Sequence, residues 1–375
     1  MKILNVVLSS LLHPHGITTW FRNYLKGLID NRNENKIVFL TLTSISQSKD
    51  WYTEKHENFT HYCVKYNWEN LHKVFTTEDF DIIHFHTSIF PSEDEYMDYH
   101  IFNFFKNEFK GRLITTIHSL QKMDMSFELY NPMDRIKEFW TDTDMFLQSI
   151  YKTDKLVNLS SDVVYISQND MIWGKKIGTF NKNANNVVIY NGLPTRDGKV
   201  KPSYNNKKVG YAHRFVQRKN WYALEEVCKL NPDLEFLFAG DCQGVTALLH
   251  KLYKDYENVR YLGKLNAGGI VDLNSEIDIM LCPASYEPFG LTAMESLFFG
   301  VAPIVCEGTG THEVLGDGAF LFDGSNIDLS RAVKEFYEIP YDEIVDRIKK
   351  QQEQVSKKSE SDLMIKKYFE LYEGK

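Results

Sequence analysis

Residues 277–295 read IDIMLCPASYEPFGLTAME. An apolar run, interrupted only by Asp278, leads into a loop carrying Glu287, Pro288, Phe289 and Gly290, and a second apolar-rich stretch starts near Gly290 or Leu291. That is the pattern of a strand buried on both faces that turns into a helix. Such units build open α/β sheets, whose ligands bind beyond the carboxyl ends of the strands. A helix starting there leaves the backbone N–H groups of Phe289 to Thr292 without intrahelical partners and offers an anion the positive end of its dipole. Glu287 stands at the strand's exit, and Glu295 lies about one and a half turns into the helix. Spacing alone leaves two readings open: a capping carboxylate with a solvated one, or a clamp on a ligand.

The same alternation extends in both directions. KILNVVL, KIVFLTL, DIIHFH, RLITTIH, DVVYIS and NVVIYN precede residues 190–208, and KKVGYAH, LEFLFAG, VRYLG, IDIMLCP, APIVC and AFLF follow them. Apolar strands separated by amphipathic helices predict parallel sheets covered on both faces. The segment YNGLPTRDGKVKPSYNNKK at 190–208 has turn formers and no apolar period, so it reads as a linker. Two doubly wound, Rossmann-like domains facing each other across a cleft are expected, over 1–195 and 196–359. The amphipathic segment DLMIKKYFELYEG falls outside the second series, and the helix over 360–375 is expected to pack back on the first domain.

Composition agrees with a globular chain of this kind. The 375 residues are 43% hydrophobic and 25% charged, which supports a sizeable core and argues against disorder. A net charge of −8 argues against binding nucleic acid through phosphate neutralisation. Cys63, Cys228, Cys242, Cys282 and Cys306 are scattered and never spaced as CxxC, which fits reduced core thiols. MKILNVVLSSLL contains Asn5 and no small-residue cleavage site, so it reads as a first strand rather than a signal peptide. No apolar run approaches the length of a membrane span. A cytoplasmic protein is expected, with peripheral contact at the inner membrane face left open.

The residues closing each strand are the candidate ligand groups: His13 to Gly16, His84 and His86, His118, His213 with Arg214, Gly240 with Asp241, and Glu287. HRFVQRKN places Arg214, Arg218 and Lys219 ahead of a helix, where cations oppose the dipole and call for an outside anion such as a diphosphate. Solvation is the other reading of those three side chains. His84 and His86 are expected to face opposite sides of their strand, so that at most one enters the cleft. A lone His118 at a strand end is more often structural than catalytic. Gly16, between strand and helix, suits a backbone that approaches a ligand closely. The segment EYMDYHIFNFFKNEF at 95–109 suits either acceptor binding or a helix packed through Ile101, Phe104, Phe105 and Phe109. GxGxxG and the Walker GxxxxGK[ST] are absent, HEVLG at 312–316 lacks a zincin's second His, and DTD at 142–144 reads as surface.

The ordered set HPHGIT, DIIHFH, TTIHS, VVYISQ, VVIYNGL, HRFVQRK, FAGD, YLG and EPFGLTAMESLFFGVAPIV resembles the family-four retaining glycosyltransferases of the GT-B fold, over nearly the whole chain. The resemblance implies a nucleotide-sugar donor such as a UDP- or GDP-sugar on the second domain, no cofactor and no catalytic metal. It implies an acceptor (glycan, lipid-linked sugar or protein) on the first domain, in the synthesis of bacterial surface glycans, glycolipids or glycoproteins. Carried over by position, Arg214 and Lys219 hold the diphosphate and Glu295 the ribose. Glu287 and the backbone of Phe289, Gly290 and Leu291 hold the transferred sugar, His118 contacts that sugar, and Gly16 adjoins phosphate or acceptor. The chain departs from the pattern at His213 and Asn220, where glycines are usual, and at GTGTHE before Glu313. A non-catalytic GT-B subunit, or a hydrolase using the two glutamates, are the readings of other classes; the latter leaves the basic pair unexplained.

Overall fold

In a computed structural model the described residues are 1–7, 16–30, 34–42, 51–57, 59–87, 100–120, 122–123, 150–194, 196–241 and 254–375. The chain divides into two units, Met1–Pro194 with Glu360–Lys375, and Thr195–Ser359.

The first unit holds an eight-stranded sheet in the order β3-β4-β2-β1-β5-β6-β7-β8. Its strands are β1 Lys2–Val7, β2 Lys36–Leu42, β3 Trp51–Lys55, β4 Phe59–Val64, β5 Ile82–Thr87, β6 Arg112–Ile117, β7 Asp162–Tyr165 and β8 Asn185–Val188. The six apolar runs expected before the linker are all strands. β3 and β4 are additions, joined as an antiparallel pair at the sheet edge. Their pattern is weak because β3 is half-buried at two positions and exposed at three, so burial imposes little alternation on it.

The core explains the remaining sequence patterns. Ile101, Phe104 and Phe105 are buried and Phe109 packs against them, so the apolar spacing near 100–109 belongs to the core and not to an exposed aromatic face. Residues 95–99 lie outside the described residues. Helix Gly16–Asp30 buries Trp20, Phe21, Tyr24 and Leu28 in one cluster with Ile365, Tyr368, Phe369 and Tyr372 of the C-terminal helix Ser361–Tyr372. Gly27 permits that approach, since a Cβ there would stand 2.4 Å from Ile365 Cγ1. Arg112 donates to the carbonyls of Leu371 and Tyr372 at 3.0 and 2.8 Å, a cation placed where the helix dipole favours one.

The second unit is a six-stranded parallel sheet in the order β11-β10-β9-β12-β13-β14. Its strands are β9 Lys208–Ala212, β10 Glu235–Ala239, β11 Val259–Tyr261, β12 Ile279–Cys282, β13 Ala302–Cys306 and β14 Phe320–Phe322, matching the six runs after the linker. The two sheets, parallel apart from the β3–β4 edge pair, give the two α/β domains of the GT-B fold. Cys63, Cys228, Cys282 and Cys306 are buried and free; Cys242 lies outside the described residues. Among the described residues no helix is long and apolar enough to cross a membrane.

Candidate functional site

In the second sheet the chain runs from β9 outward through β10 to β11, then returns to the other side of β9 as β12. Neighbouring strands with connections leaving in opposite directions open a crevice at their carboxyl ends, where ligands of such sheets bind. β9 and β12 pair directly, Val209 opposite Ile279 and Gly210 opposite Met280. The loop after β9 carries Arg214, Arg218 and Lys219, the last two in a 3₁₀ turn over Gln217–Lys219. The loop after β12 carries Glu287. Sheet order therefore joins groups 68 residues apart: Lys219 Nζ donates to Glu287 Oε2.

This pair changes the reading of the basic loop. The anion expected from outside is already supplied to Lys219 by the chain, and the two side chains are only 13% and 16% exposed. Burial works against charge on both. It lowers Lys219, with Glu287 opposing the shift and Arg218 adding to it. For Glu287, burial would raise the carboxyl, but Lys219 and then Arg218 outweigh it and hold it below the ordinary range. Arg214 is exposed and its carbonyl accepts from Tyr211 Oη at 3.3 Å.

Glu295 sits on the helix Leu291–Phe298 as expected, though its charged neighbour is Arg196 rather than the basic loop. Burial raises its carboxyl and Arg196 partly offsets this. Gly290 caps that helix in the left-handed region, φ 82°, without a side-chain hydrogen bond to the first turn. A Cβ at Gly290 would meet Thr311 Oγ1 at 2.2 Å, which explains the glycine in EPFG. Phe289 is buried, anchoring the loop. Gly240 is equally required: at φ 145° its Cβ would stand 1.8 Å from the His213 carbonyl oxygen. Gly308, φ 74°, and the Thr309 cap shape the GTGTHE turn, in which Gly308 N donates to His312 Nδ1 at 3.1 Å.

The switch point of the first sheet lies between β1 and β5, and there the sequence reading needs correction. His84 and His86 lie on the same side of β5, ring centroids 4.0 Å apart, because residues two apart on a strand share a face. His84 Nδ1 bonds Tyr372 Oη and its Nε2 bonds Thr116 Oγ1, both at 2.7 Å. His86 Nε2 lies 3.3 Å from Asn5 Oδ1, which also accepts from Tyr24 Oη at 2.8 Å. His118 follows directly after β6 with its ring edge-on to Trp20 at 4.2 Å, and its Nε2 has no hydrogen-bond partner among the described residues. Burial pushes His118 down to about 3 and holds His84 and His86 far below the usual imidazole range, so all three are neutral at physiological pH. Gly16 opens helix Gly16–Asp30. His13 to His15 and DTD at 142–144 lie outside the described residues.

Sequence reasoning missed the tyrosines of this network, Tyr24, Tyr368 and Tyr372, which reach it from two helices far apart in the chain. One signal was present: Asn5, a polar residue inside an otherwise apolar buried strand, must find hydrogen bonds.

Comparison with known proteins places these observations. Residues 195–358 match the family model of glycosyl transferases group 1. The chain is 25% identical over 317 residues to the uncharacterized glycosyltransferase YqgM of Bacillus subtilis (strain 168), covering 82% of this chain and 79% of that protein. It is 29% identical over 113 residues to a glycogen synthase of Aquifex aeolicus (strain VF5), a match spanning 29% of this chain and only 24% of that protein. The fold matches sucrose-phosphate synthase from Thermosynechococcus elongatus with a TM-score of 0.74 at 14% identity, covering 100% and 99% of the two chains. It matches HepE of Anabaena, solved with UDP-glucose, with a TM-score of 0.71 at 16% identity, covering 100% of both.

Proposed function

We propose that the protein is a glycosyltransferase that takes a sugar from a nucleoside-diphosphate donor held by the unit Thr195–Ser359. The observation that carries this reading is the Lys219–Glu287 pair at the switch point between β9 and β12, flanked by Arg214 and Arg218. The group 1 family match over the same residues supports it, as does a GT-B neighbour solved with UDP-glucose.

The chemistry follows from the charges. Breaking the anomeric carbon–oxygen bond places negative charge on the departing diphosphate and positive character on the sugar ring. Arg214, Arg218, Lys219 and the start of helix Leu291–Phe298, which has no side-chain cap, provide positive potential for the diphosphate. Once Lys219 turns to the phosphate, Glu287 is released to hold the sugar, and Glu295 takes the ribose, the role sequence resemblance implies for it. This basic set takes the part a divalent cation plays elsewhere, so transfer is expected without metal. Retention of the anomeric configuration, with the leaving oxygen taking the acceptor proton on the same face, completes the proposal. The acceptor class proposed from sequence resemblance is a glycan, lipid-linked sugar or protein, in the synthesis of a surface glycan, glycolipid or glycoprotein.

The test is a thermal-shift panel of nucleoside diphosphates and their sugars on the full chain, followed by transfer assays in EDTA with the product anomer read by NMR. A ligand at 100 times its dissociation constant adds about 2.7 kcal/mol, a readily measured shift. No stabilisation by any nucleotide overturns the reading. Activity lost in EDTA and restored by manganese removes the metal-free part, and an inverted anomer removes retention.

A further inference from the structure

We propose that His213 and Asn220 are positioning residues, which brace the two ends of the basic loop against the exit of β12 and so set the reach of Lys219 toward the donor diphosphate. This rests on the reading of that loop as the phosphate site. His213 opens the loop and its Nε2 donates to the carbonyl of Leu281 at 3.2 Å. Asn220 closes it and its Nδ2 donates to the carbonyl of Pro283 at 3.2 Å. Both acceptors belong to the strand end that leads into Glu287, so loop and carboxylate share one frame.

Stability does not account for Asn220. Its backbone sits at φ 50°, a left-handed conformation in which glycine is unstrained and asparagine is tolerated better than other residues that carry a Cβ. Its Oδ1 is buried with no hydrogen-bond partner. A residue that leaves a buried amide oxygen unpaired while making one inter-loop bond fits a functional constraint better than a structural one. His213 is held neutral by burial and by the neighbouring Lys219, which keeps it from adding a competing cation while Nε2–H remains a donor. Sequence resemblance expects glycine at both places, and a glycine at either would leave that end of the loop unbraced.

The experiment compares the parent chain with Asn220→Gly, His213→Ala and the double variant. Melting temperature is measured, together with affinity for a panel of uridine, guanosine, adenosine, cytidine and thymidine diphosphates, and kcat and KM for the donor the parent uses. Asn220→Gly should melt within about 4 °C of the parent or above it. It should bind the preferred diphosphate about fivefold more weakly, with a lowered kcat, as expected for one lost hydrogen bond that orients a charged group; the double variant should be weaker than either single one. Parent-like affinity and kcat in Asn220→Gly overturn the positioning role while leaving the phosphate reading intact. A fall in melting temperature with parent-like kinetics of the folded protein assigns both residues to stability alone and overturns it too. If the parent binds no diphosphate of the panel, the phosphate reading fails and takes this inference with it.

Discussion

Glu287 illustrates how much one contact changes an expectation. Read alone, it is a sugar ligand whose loss should leave nucleoside-diphosphate binding untouched. Its pairing with Lys219 makes it a competitor for the same cation. Glu287→Gln keeps the shape of the side chain and frees Lys219, so diphosphate affinity should rise by about fivefold, roughly 1 kcal/mol, while kcat falls. Isothermal titration checks the first and steady-state kinetics the second; unchanged affinity would show that the pair does not compete with ligand. Lys219→Ala is a poorer probe, because stranding a buried carboxylate costs about 3–5 kcal/mol in stability besides its effect on transfer. Glu295→Gln, away from the basic loop, should raise the donor KM and leave kcat nearly unchanged. The identities of these residues were legible in sequence. Their pairing was not, since nothing local links positions 68 residues apart.

At the scale of elements, the C-terminal helix Ser361–Tyr372 is tied into the first sheet by more than apolar packing. Tyr372 Oη meets His84 Nδ1 at 2.7 Å, and Arg112 closes the end of the same helix. Tyr372→Phe removes one oxygen and leaves His84 and Tyr24 buried without it, so it should destabilise the first unit by about 1–3 kcal/mol. Urea unfolding followed at the first unit's tryptophans measures this, and a neutral result would mean that water replaces the hydroxyl. The helix itself was readable from its amphipathic period. Its hydroxyls' partners were not, because apolar periodicity says which face is buried and nothing about which polar groups are buried with it.

At the scale of the molecule, the two units should differ in acid sensitivity. His84, His86 and His118 in the first unit are neutral in the folded state with pKa values far below that of an unfolded imidazole, near 6.5. Below that pH the unfolded chain binds protons that the folded chain refuses, so stability is complete above about pH 6.5 and declines as pH falls toward about 3. The second unit holds one such group, His213, among the described residues. Hydrogen exchange across pH 7 to about 5 should therefore show the first sheet opening before the second; equal protection would mean that carboxylates dominate. The sequence by itself determined the alternation of strands and helices, the linker and the chemical types gathered at the strand ends, because burial on both faces of a parallel sheet writes itself as contiguous apolar runs. Only the tertiary structure decided the edge strands, the shared face of His84 and His86 with the C-terminal tyrosines, and the meeting of Lys219 with Glu287. Each depends on which strands lie side by side, and sheet order is set by packing between segments far apart in the chain, a quantity that no local period encodes.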